Sequence, residues 1–465
     1  MPELPEVETV KNQSIPLWVG NTLEKVEVFL PRIVRNLSSF LKEAPGKTCT
    51  HITRRGKYLL FHFSSNDVLL VHLRMEGKFI LLNPNEEKTK HTHVLFTFTN
   101  GRRIAYDDSR TFGVLQWMKE EECKEEPMLT KLGPEPFEIS LELFYQRLQR
   151  RSDYIKEALL SQEVVAGIGN IYADEILFAA GISPFSIAKR IPFEKVRLLL
   201  SKTKEVLKHA IELGGSTIRS YHPSRDVDGK FQITLQVYDK EKEPCPRCHA
   251  PLKKVFLAGR GTTYCRFCQK EYRSSFPIGI VGKIAAGKST VLSLLKKKYP
   301  VFSADEIVHQ FYKDERNLEQ LRKRFPQAFE GETFSTSKMR EILVSSSKKK
   351  KELERILHPY VEKKMRKEIR THQGIIFLEI PLLFESQMED LCEKILGINA
   401  TKETQIRHLK KRKEKNIEQA LSLNASTRFD ESLSKMDYVL ENNGTLTELK
   451  RNLTAILKQI EQDIK

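Results

Sequence analysis

Two local patterns stand almost back to back in this chain, and no one small fold accommodates both. Cys245, Cys248, Cys265 and Cys268 follow the spacing C-x2-C-x16-C-x2-C, that of a four-thiolate metal site. A short way on, Gly282 opens a Gly-x4-Gly-Lys-Ser string that closes at Gly287, Lys288 and Ser289. Paired thiolates need only a small hairpin around them, whereas a phosphate loop needs a buried strand before it and a helix after it. The pairing predicts two proteins joined in one chain, with the seam near Ser274–Pro277.

At 465 residues the chain exceeds one ordinary core, so several domains are expected. Lys and Arg number 78 against 61 Asp and Glu, a balance of +17 that favours anionic partners such as nucleic acid and nucleotides. The runs Lys348–Lys351 and Lys410–Lys413 read as solvated helix faces. Apart from the metal pattern, Cys49, Cys123 and Cys392 are scattered, the usage of a reducing cytosol. The start, Met-Pro-Glu-Leu-Pro-Glu, has neither region of a signal peptide. The longest apolar run, Ile375–Phe384, contains Glu379 and is too short to cross a bilayer. A cytoplasmic monomer with no membrane partner is expected.

Residues 1–133 read as a β-sandwich. Lys57–Phe63, Asp67–Leu73, His93–Thr99 and Arg103–Asp107 are short apolar runs, and Asn100-Gly101 between the last two is the dipeptide of a type I′ hairpin. A helix precedes them, with Pro5 in its first turn and Val7, Val10 and Ser14 on one face. Residues 134–225 turn helical. Asn170 is placed to cap a helix that stops at Gly181, and a longer one runs from Pro192 to Gly214-Gly215. The stretch 216–244 looks like loop, and a zinc ribbon is expected over 240–275. From 277 to 465 strands at Ile278–Val281, Val301–Ala304, Ile375–Glu379 and Ile395–Ile398 alternate with helical stretches, which predicts an α/β domain with a parallel sheet.

All four metal ligands are thiolates, which leaves no open position for water, so the expected zinc is structural and its hairpin carries Arg260. Together with that ribbon, Met1-Pro2-Glu3-Leu4-Pro5-Glu6-Val7-Glu8, Arg54-Arg55-Gly56-Lys57-Tyr58 and Gly167-Ile168-Gly169-Asn170-Ile171-Tyr172 resemble the formamidopyrimidine-DNA glycosylase family over 1–275. The resemblance implies a helix–two-turn–helix DNA-binding domain and a partner that is damaged double-stranded DNA. It also implies excision of 8-oxoguanine and formamidopyrimidines followed by strand cleavage at the abasic site. Once Met1 is removed, Pro2 presents a secondary amine; an α-amino group of pKa about 8 is partly neutral near pH 7. Its attack on sugar C1′ would give a Schiff base, with Glu3 beside it as general acid. By resemblance Lys57 assists strand elimination and Arg260 the second elimination. His91, Arg110, Arg151 and Asn170 would contact phosphates, and Lys156 would lie near the lesion. Met75, Arg110 and Phe112 would fill the hole left by the flipped nucleotide. Arg74 and Glu157 depart from the family's usual glycine and proline.

The second string carries Gly282, Ala285, Ala286, Gly287, Lys288, Ser289 and Thr290 as candidate ATP ligands. Lys288 would reach the β- and γ-phosphates and Ser289 would hold Mg²⁺. Ser303-Ala304-Asp305, His358-Pro359, Ile380–Glu385 and Asp437–Gly444 resemble dephospho-coenzyme A kinases over 277–465. The resemblance implies Asp305 as the base on the ribose 3′-hydroxyl of dephospho-CoA, with Arg407 or Arg412 of a basic lid, Lys402–Lys415, stabilising the transferred charge. This loop has Lys283, Ala285 and Ala286 where glycine is usual, and Ser303 and Glu379 replace aspartates. Around 416–424 the lid lacks the expected arginine and, apart from Gln419, the expected glutamine. Three readings stay open: a bifunctional enzyme, a repair glycosylase carrying a weakened or inert nucleotide-binding module, and a DNA-binding protein whose Pro2 is blocked by a retained Met1. An oxidised-pyrimidine glycosylase is the alternative lesion class.

Overall fold

The structure is a computed structural model that describes residues 1–83, 85–216, 231–412, 417–418, 421 and 429–464. Residues 217–230 of the expected loop and helical domain, and the part of the basic lid beyond Arg412, lie outside the described residues apart from 417–418 and 421. The chain divides into two compact units, Met1–Tyr272 and Arg273–Lys465.

In the first unit the amino-terminal helix, Leu4–Trp18, buries Val7, Val10 and Ser14 on one side, and Pro5 occupies its first turn. Two sheets follow. One orders β1 (Leu23–Val28), β7 (Thr92–Phe98), β8 (Arg103–Asp107) and β6 (Lys78–Leu82); the other orders β2 (Val34–Arg35), β9 (Val114–Lys119), β5 (Asp67–His72), β4 (Tyr58–Phe63) and β3 (Cys49–Arg55). Trp18, Phe40, Phe61, Phe79, Phe96 and Trp117 share one core with residues of both sheets. The β7–β8 connection is not the type I′ turn that Asn100-Gly101 suggests. Only Gly101 has positive φ, 78°, and Phe98 N–H donates to Arg102 O at 2.9 Å. That is the three-residue hairpin in which a type I turn is closed by a left-handed glycine.

The helical part of this unit contains Leu141–Gln149, Ile155–Leu160, Asn170–Ala180 and Phe193–Glu212. Its core joins Leu4 to Ile176, Leu199 and Leu207, so the start of the chain packs among helices more than a hundred residues away. Gly181, at φ 67°, ends the third helix, as a left-handed cap requires. The ribbon is the antiparallel pair β10 (Lys253–Leu257) and β11 (Arg260–Tyr264).

The second unit holds a five-stranded sheet, every pairing parallel, ordered β13 (Val301–Ser303), β16 (Gly374–Glu379), β12 (Ser275–Gly282), β17 (Lys394–Asn399), β18 (Tyr438–Glu441). A small hairpin, β14 (Phe329–Glu330) with β15 (Thr333–Phe334), lies outside it. Helices pack on the sheet through two apolar clusters, one containing Val361 and Met365, the other Val291 and Leu449. Among the described residues no helix is long and apolar enough to cross a membrane.

Candidate active sites

At the amino terminus the sequence places a carboxylate where a helix needs one. Glu3 is buried, and its Oε2 accepts from Gly169 N at 2.7 Å while Oε1 accepts from Ile171 N at 2.9 Å. Those N–H groups begin the Asn170–Ala180 helix, whose positive end favours an anion. Asn170 is therefore not the cap; it is the first helical residue, Gly169 is the cap position, and Glu3 serves it from across the chain. Asn170 Nδ2 donates instead to Gly261 O at 3.0 Å.

The two glycines around Ile168 have separate causes. A Cβ on Gly169 would overlap the Glu3 carboxyl carbon, and one on Gly167 would meet Leu4 Cδ1 at 2.6 Å. Glu3 N–H donates to Glu6 Oε2 at 2.8 Å, and Glu6 Oε1 accepts from Tyr172 Oη at 2.5 Å and Ser216 N at 2.8 Å. Burial raises the Glu3 carboxyl, with Lys57 pulling it down and Glu6 pushing it up. The amino terminus at Met1 is lowered by burial against the raising pull of Glu3 and Glu6, and Arg110 is close enough to lower it further. Pro2 is buried.

Lys57 is the second residue of the two-residue hairpin turn between β3 and β4. Arg54 Nη1 and Arg55 Nη1 pair with Glu135 at 2.8 and 3.0 Å, and Gly56 N donates to the same carboxylate at 2.7 Å. The clamp aims Lys57 inward, where Nζ donates to Ile168 O at 2.9 Å. Burial lowers the ammonium; Glu3 and Glu6 raise it and Arg260 lowers it. Arg260 itself is exposed at the start of β11. The adjacent Pro2 and Glu3, Lys57 and Arg260 thus come from three separate segments of the chain, with Lys57 within reach of the charges of Glu3 and Arg260.

The wedge candidates stand on two loops. Asp108 accepts from Arg110 N, Phe112 N and Gly113 N at 3.0, 2.9 and 2.7 Å, which holds Phe112 outward at 54% exposure. The Arg110 guanidinium lies 5.2 Å from that ring's centroid. Ser109 Oγ bonds to Glu76, tying this loop to the one that carries half-buried Met75. Arg74, where the resemblance leads one to expect glycine, sits in the left-handed region at φ 57°. His91 is half-buried. Arg151 forms a two-point pair with Asp153, at 3.0 and 2.6 Å, and a third bond to Glu163.

Lys156, which the resemblance puts near the lesion, is buried within reach of the charges of Glu3 and Arg260. At 0% exposure, its Nζ donates to Asp174 Oδ1 at 2.6 Å, Thr262 Oγ1 at 2.9 Å and Gly261 O at 3.2 Å. It is a strut between the helical domain and the ribbon tip. Burial pulls Lys156 down and Asp174 up, each toward neutrality. Glu157, the other departure, accepts from Tyr154 N at 3.1 Å at its helix start.

The four cysteine sulfurs lie within 4.8 Å of one another, with Cys245–Cys268 at 3.8 Å and Cys248–Cys265 at 3.5 Å. Tetrahedral zinc with Zn–S of about 2.3 Å demands edges of about 3.8 Å. The donor set fits. Arg247 N and Cys268 N point at sulfurs, at 3.5 and 3.4 Å.

In the second unit Gly282 ends β12 and Lys288 begins the helix Lys288–Leu295, with Gly287 at φ 98° before it. Ala285 is left-handed at φ 60°, while Lys283 and Ala286 are not, so one of the three glycine losses carries strain. Lys288 Nζ is 3.8 Å from Glu379, and Lys283 Nζ pairs with Asp430 at 2.6 Å. Ser289 and Thr290 are exposed at the helix start, and Asp305 is exposed in the first turn of Ala304–Phe311. Arg407 Nη2 reaches Asn443 O at 3.4 Å, and Arg412 is exposed at the end of the helix Lys402–Lys411. Sequence reasoning missed Glu6, Asp108, Asp174, His408 and Asn442. Only Glu6, three residues after Glu3, had a local signal, that of a capping box.

Family models for the formamidopyrimidine-DNA glycosylase N-terminal domain and H2TH domain match residues 1–115 and 132–222, and that for dephospho-CoA kinase matches 276–448. Formamidopyrimidine-DNA glycosylase of Mycoplasma mobile is 39% identical over 272 residues, 58% of this chain and 99% of its own. That of Lactobacillus helveticus is 44% identical over 276 residues, covering 59% and 100%. The crystal structure of MutM (Fpg) from Thermus thermophilus superposes with a TM-score of 0.54 at 40% identity, covering 58% of this chain and 99% of that one. Lactococcus lactis Fpg in complex with DNA containing N7-benzyl-Fapy-dG gives 0.55 at 40% identity, covering 58% and 100%. The chain belongs to the formamidopyrimidine-DNA glycosylase family, and from residue 276 it carries a domain of the dephospho-CoA kinase family.

Proposed function

We propose that this is a bifunctional enzyme. Its first unit excises oxidised purines from duplex DNA and cleaves the abasic site; its second phosphorylates the 3′-hydroxyl of dephospho-CoA with ATP. The observation that carries the first half is the buried Glu3 carboxylate, held on the Asn170 helix beside the amino terminus and Lys57. After removal of Met1, the Pro2 nitrogen attacks C1′ as the bond to the base breaks, and the departing base takes a proton from Glu3. The sugar ring then opens at the C1′–O4′ bond to give the iminium, and the proton lost from the nitrogen passes through solvent to O4′. A Glu3 carboxyl raised by burial favours the proton transfer to the base. Lys57 then assists loss of the C2′ proton. Arg110 and Phe112, with Met75, fill the emptied stack; His91, Arg151 and Asn170 serve the backbone side. Four thiolates would hold zinc as a structural ion that fixes the hairpin carrying Arg260.

For the second unit, Lys288 and the loop N–H groups hold the phosphates, Ser289 would hold Mg²⁺, and Asp305 takes the ribose proton. Mg²⁺ there supplies neutralisation of phosphate charge. Arg407 and Arg412 approach the transferred group. Both halves act in the cytoplasm. A weakened kinase is the second reading, favoured by Ala285 at φ 60°.

Borohydride added during reaction with an 8-oxoguanine:cytosine duplex should trap the full chain on DNA, and Pro2→Gly should abolish trapping. An equally strong adduct from that variant would move the nucleophile elsewhere, and an intact Met1 in the mature mass would favour DNA binding alone. The full chain with Mg-ATP should convert dephospho-CoA to coenzyme A, and Asp305→Asn should stop it. ATP binding without turnover by the wild type would establish the inert-module reading.

A further inference from the structure

The strained residue of the phosphate loop has a partner from outside the loop. At φ 60°, Ala285 adopts a conformation that presses an L-residue's Cβ on the following carbonyl and that glycine takes freely. Left-handed residues within such loops turn successive N–H groups to one side, forming an anion cradle. The Ala285 carbonyl accepts from His408 Nδ1 at 2.8 Å. A carbonyl only accepts, so Nδ1 carries the proton whether the ring is neutral or charged. The next carbonyl, of Ala286, accepts from Asn442 Nδ2 at 2.8 Å.

These two bonds fix the orientation of the loop's donors. No described peptide is cis, and in a trans peptide the C=O and N–H point in opposite directions. Holding both carbonyls on external side chains keeps the Ala286 and Gly287 N–H groups on the other side. That of Ala286 meets Lys283 O at 3.2 Å across the turn. Half-buried His408 belongs to the helix Lys402–Lys411, so this helix reaches the loop through its ring.

We propose that His408 is a positioning residue for nucleotide binding: it holds the Ala285 peptide in the left-handed conformation that alanine disfavours, a task that glycine at 285 would make unnecessary. The identity of the nucleotide rests on the kinase reading above. The role of His408 rests on the geometry of the loop.

Mg-ATP affinity of the full chain, measured by titration calorimetry, tests this, with KM and kcat for dephospho-CoA phosphorylation followed in parallel. His408→Ala should weaken ATP binding about five- to tenfold, the loss of one hydrogen bond, and should raise KM for ATP more than it lowers kcat. His408→Gln, which keeps an N–H donor, should retain most of the affinity. In an Ala285→Gly background, His408→Ala should change affinity by about twofold or less. Equal losses in the two backgrounds would make His408 an ordinary strut of its helix and overturn the proposal. Unchanged affinity in His408→Ala, or a wild-type chain that binds no ATP, would overturn it too. The expected pattern of ATP binding without any phosphorylation of dephospho-CoA would sink the kinase reading and support the role of His408.

Discussion

At Gly167 and Gly169 of the glycosylase unit a side chain has nowhere to go, whereas at Ala285 of the kinase unit the methyl is already in place. The first two positions are closed by collision: Leu4 and Glu3 occupy the space a Cβ would need, and both are buried and tied to the chain around them. The third is merely disfavoured. A left-handed L-residue costs roughly 1–2 kcal/mol, and the loop carries outside bonds from His408 and Asn442 that offset it. Arg74, at φ 57°, is a case of the same kind inside the glycosylase unit. Departures from a family's glycines therefore divide into those that remove a space and those that bend a torsion. Only the first kind should abolish a site.

The sharpest way to break this comparison is Gly169→Ala. Its methyl must displace the carboxylate that caps the Asn170 helix and that donates the proton in the proposed excision. Misplacing one catalytic group typically forfeits several kcal/mol, so single-turnover release of 8-oxoguanine should fall roughly a hundredfold or more. ATP binding by the second unit should be unchanged. A wild-type excision rate would mean that Glu3 can move aside, and the distinction between collision and torsion would fail.

Cys265→Ser comes next. The ribbon tip is the partner of Lys156 through Thr262 and Gly261 and of Asn170 through Gly261. Losing the metal should therefore loosen the seat of a fully buried ammonium as well as Arg260. Metal analysis should show one zinc fewer per chain, and DNA affinity should drop on the order of tenfold or more. Retained DNA affinity after metal loss would show that the strut, and not the ion, holds the tip.

A third expectation concerns protons. The proposed excision needs Pro2 neutral and Glu3 protonated, the reverse of their usual order. With ordinary values near 8 and 4.3, roughly one chain in five thousand is in that state. Burial raises Glu3, and each unit by which the gap closes multiplies that fraction tenfold. Between the two values the gain in neutral amine and the loss of protonated Glu3 cancel, so the wild-type rate should be flat with pH and fall on both sides. Glu3→Gln removes the second titration. Its residual rate should then rise about tenfold per pH unit across the same window, as the amine alone deprotonates. A flat profile in the variant would remove Glu3 from the protonic step.

What could be read in the sequence was local. The four cysteines, the phosphate loop and the Gly-Ile-Gly-Asn string each declare themselves within a few residues, and strands β4, β5, β7 and β8 are apolar enough to stand out. Strand β3, Cys-Thr-His-Ile-Thr-Arg-Arg, is mostly polar and lies at a sheet edge, and it went unrecognised. Asn170 looked like a cap because caps are usually adjacent residues; the actual carboxylate is Glu3, at the far end of the chain's first unit. The partners of Lys156 were not legible, because Asp174, Thr262 and the Gly261 carbonyl are distant in sequence. Ala285 was legible as a glycine loss, but which of the three losses carried a positive φ was not.

The smallest effect should belong to Arg74→Gly, and it separates torsion from side-chain contact within the glycosylase unit. Relief of the left-handed conformation offers roughly 1–2 kcal/mol, while glycine gives back about 0.5–1 kcal/mol through the freer unfolded chain. The net gain is on the order of 0.5 kcal/mol, a rise of about 1–3 °C in the melting temperature of the first unit. Arg74 also helps hold the neighbouring His72 imidazole, already pushed down to about 3 by burial, in its neutral form, and its backbone N–H donates to His72 Nδ1 at 3.0 Å. That bond survives the substitution, so the turn carrying Met75 should keep its shape, and excision of 8-oxoguanine should stay within about twofold. A melting temperature that falls instead would mean that the Arg74 side chain stabilises the turn by more than its torsion costs. The position would then be one where the family's glycine is dispensable because of a contact, as proposed for Ala285, and not merely tolerated.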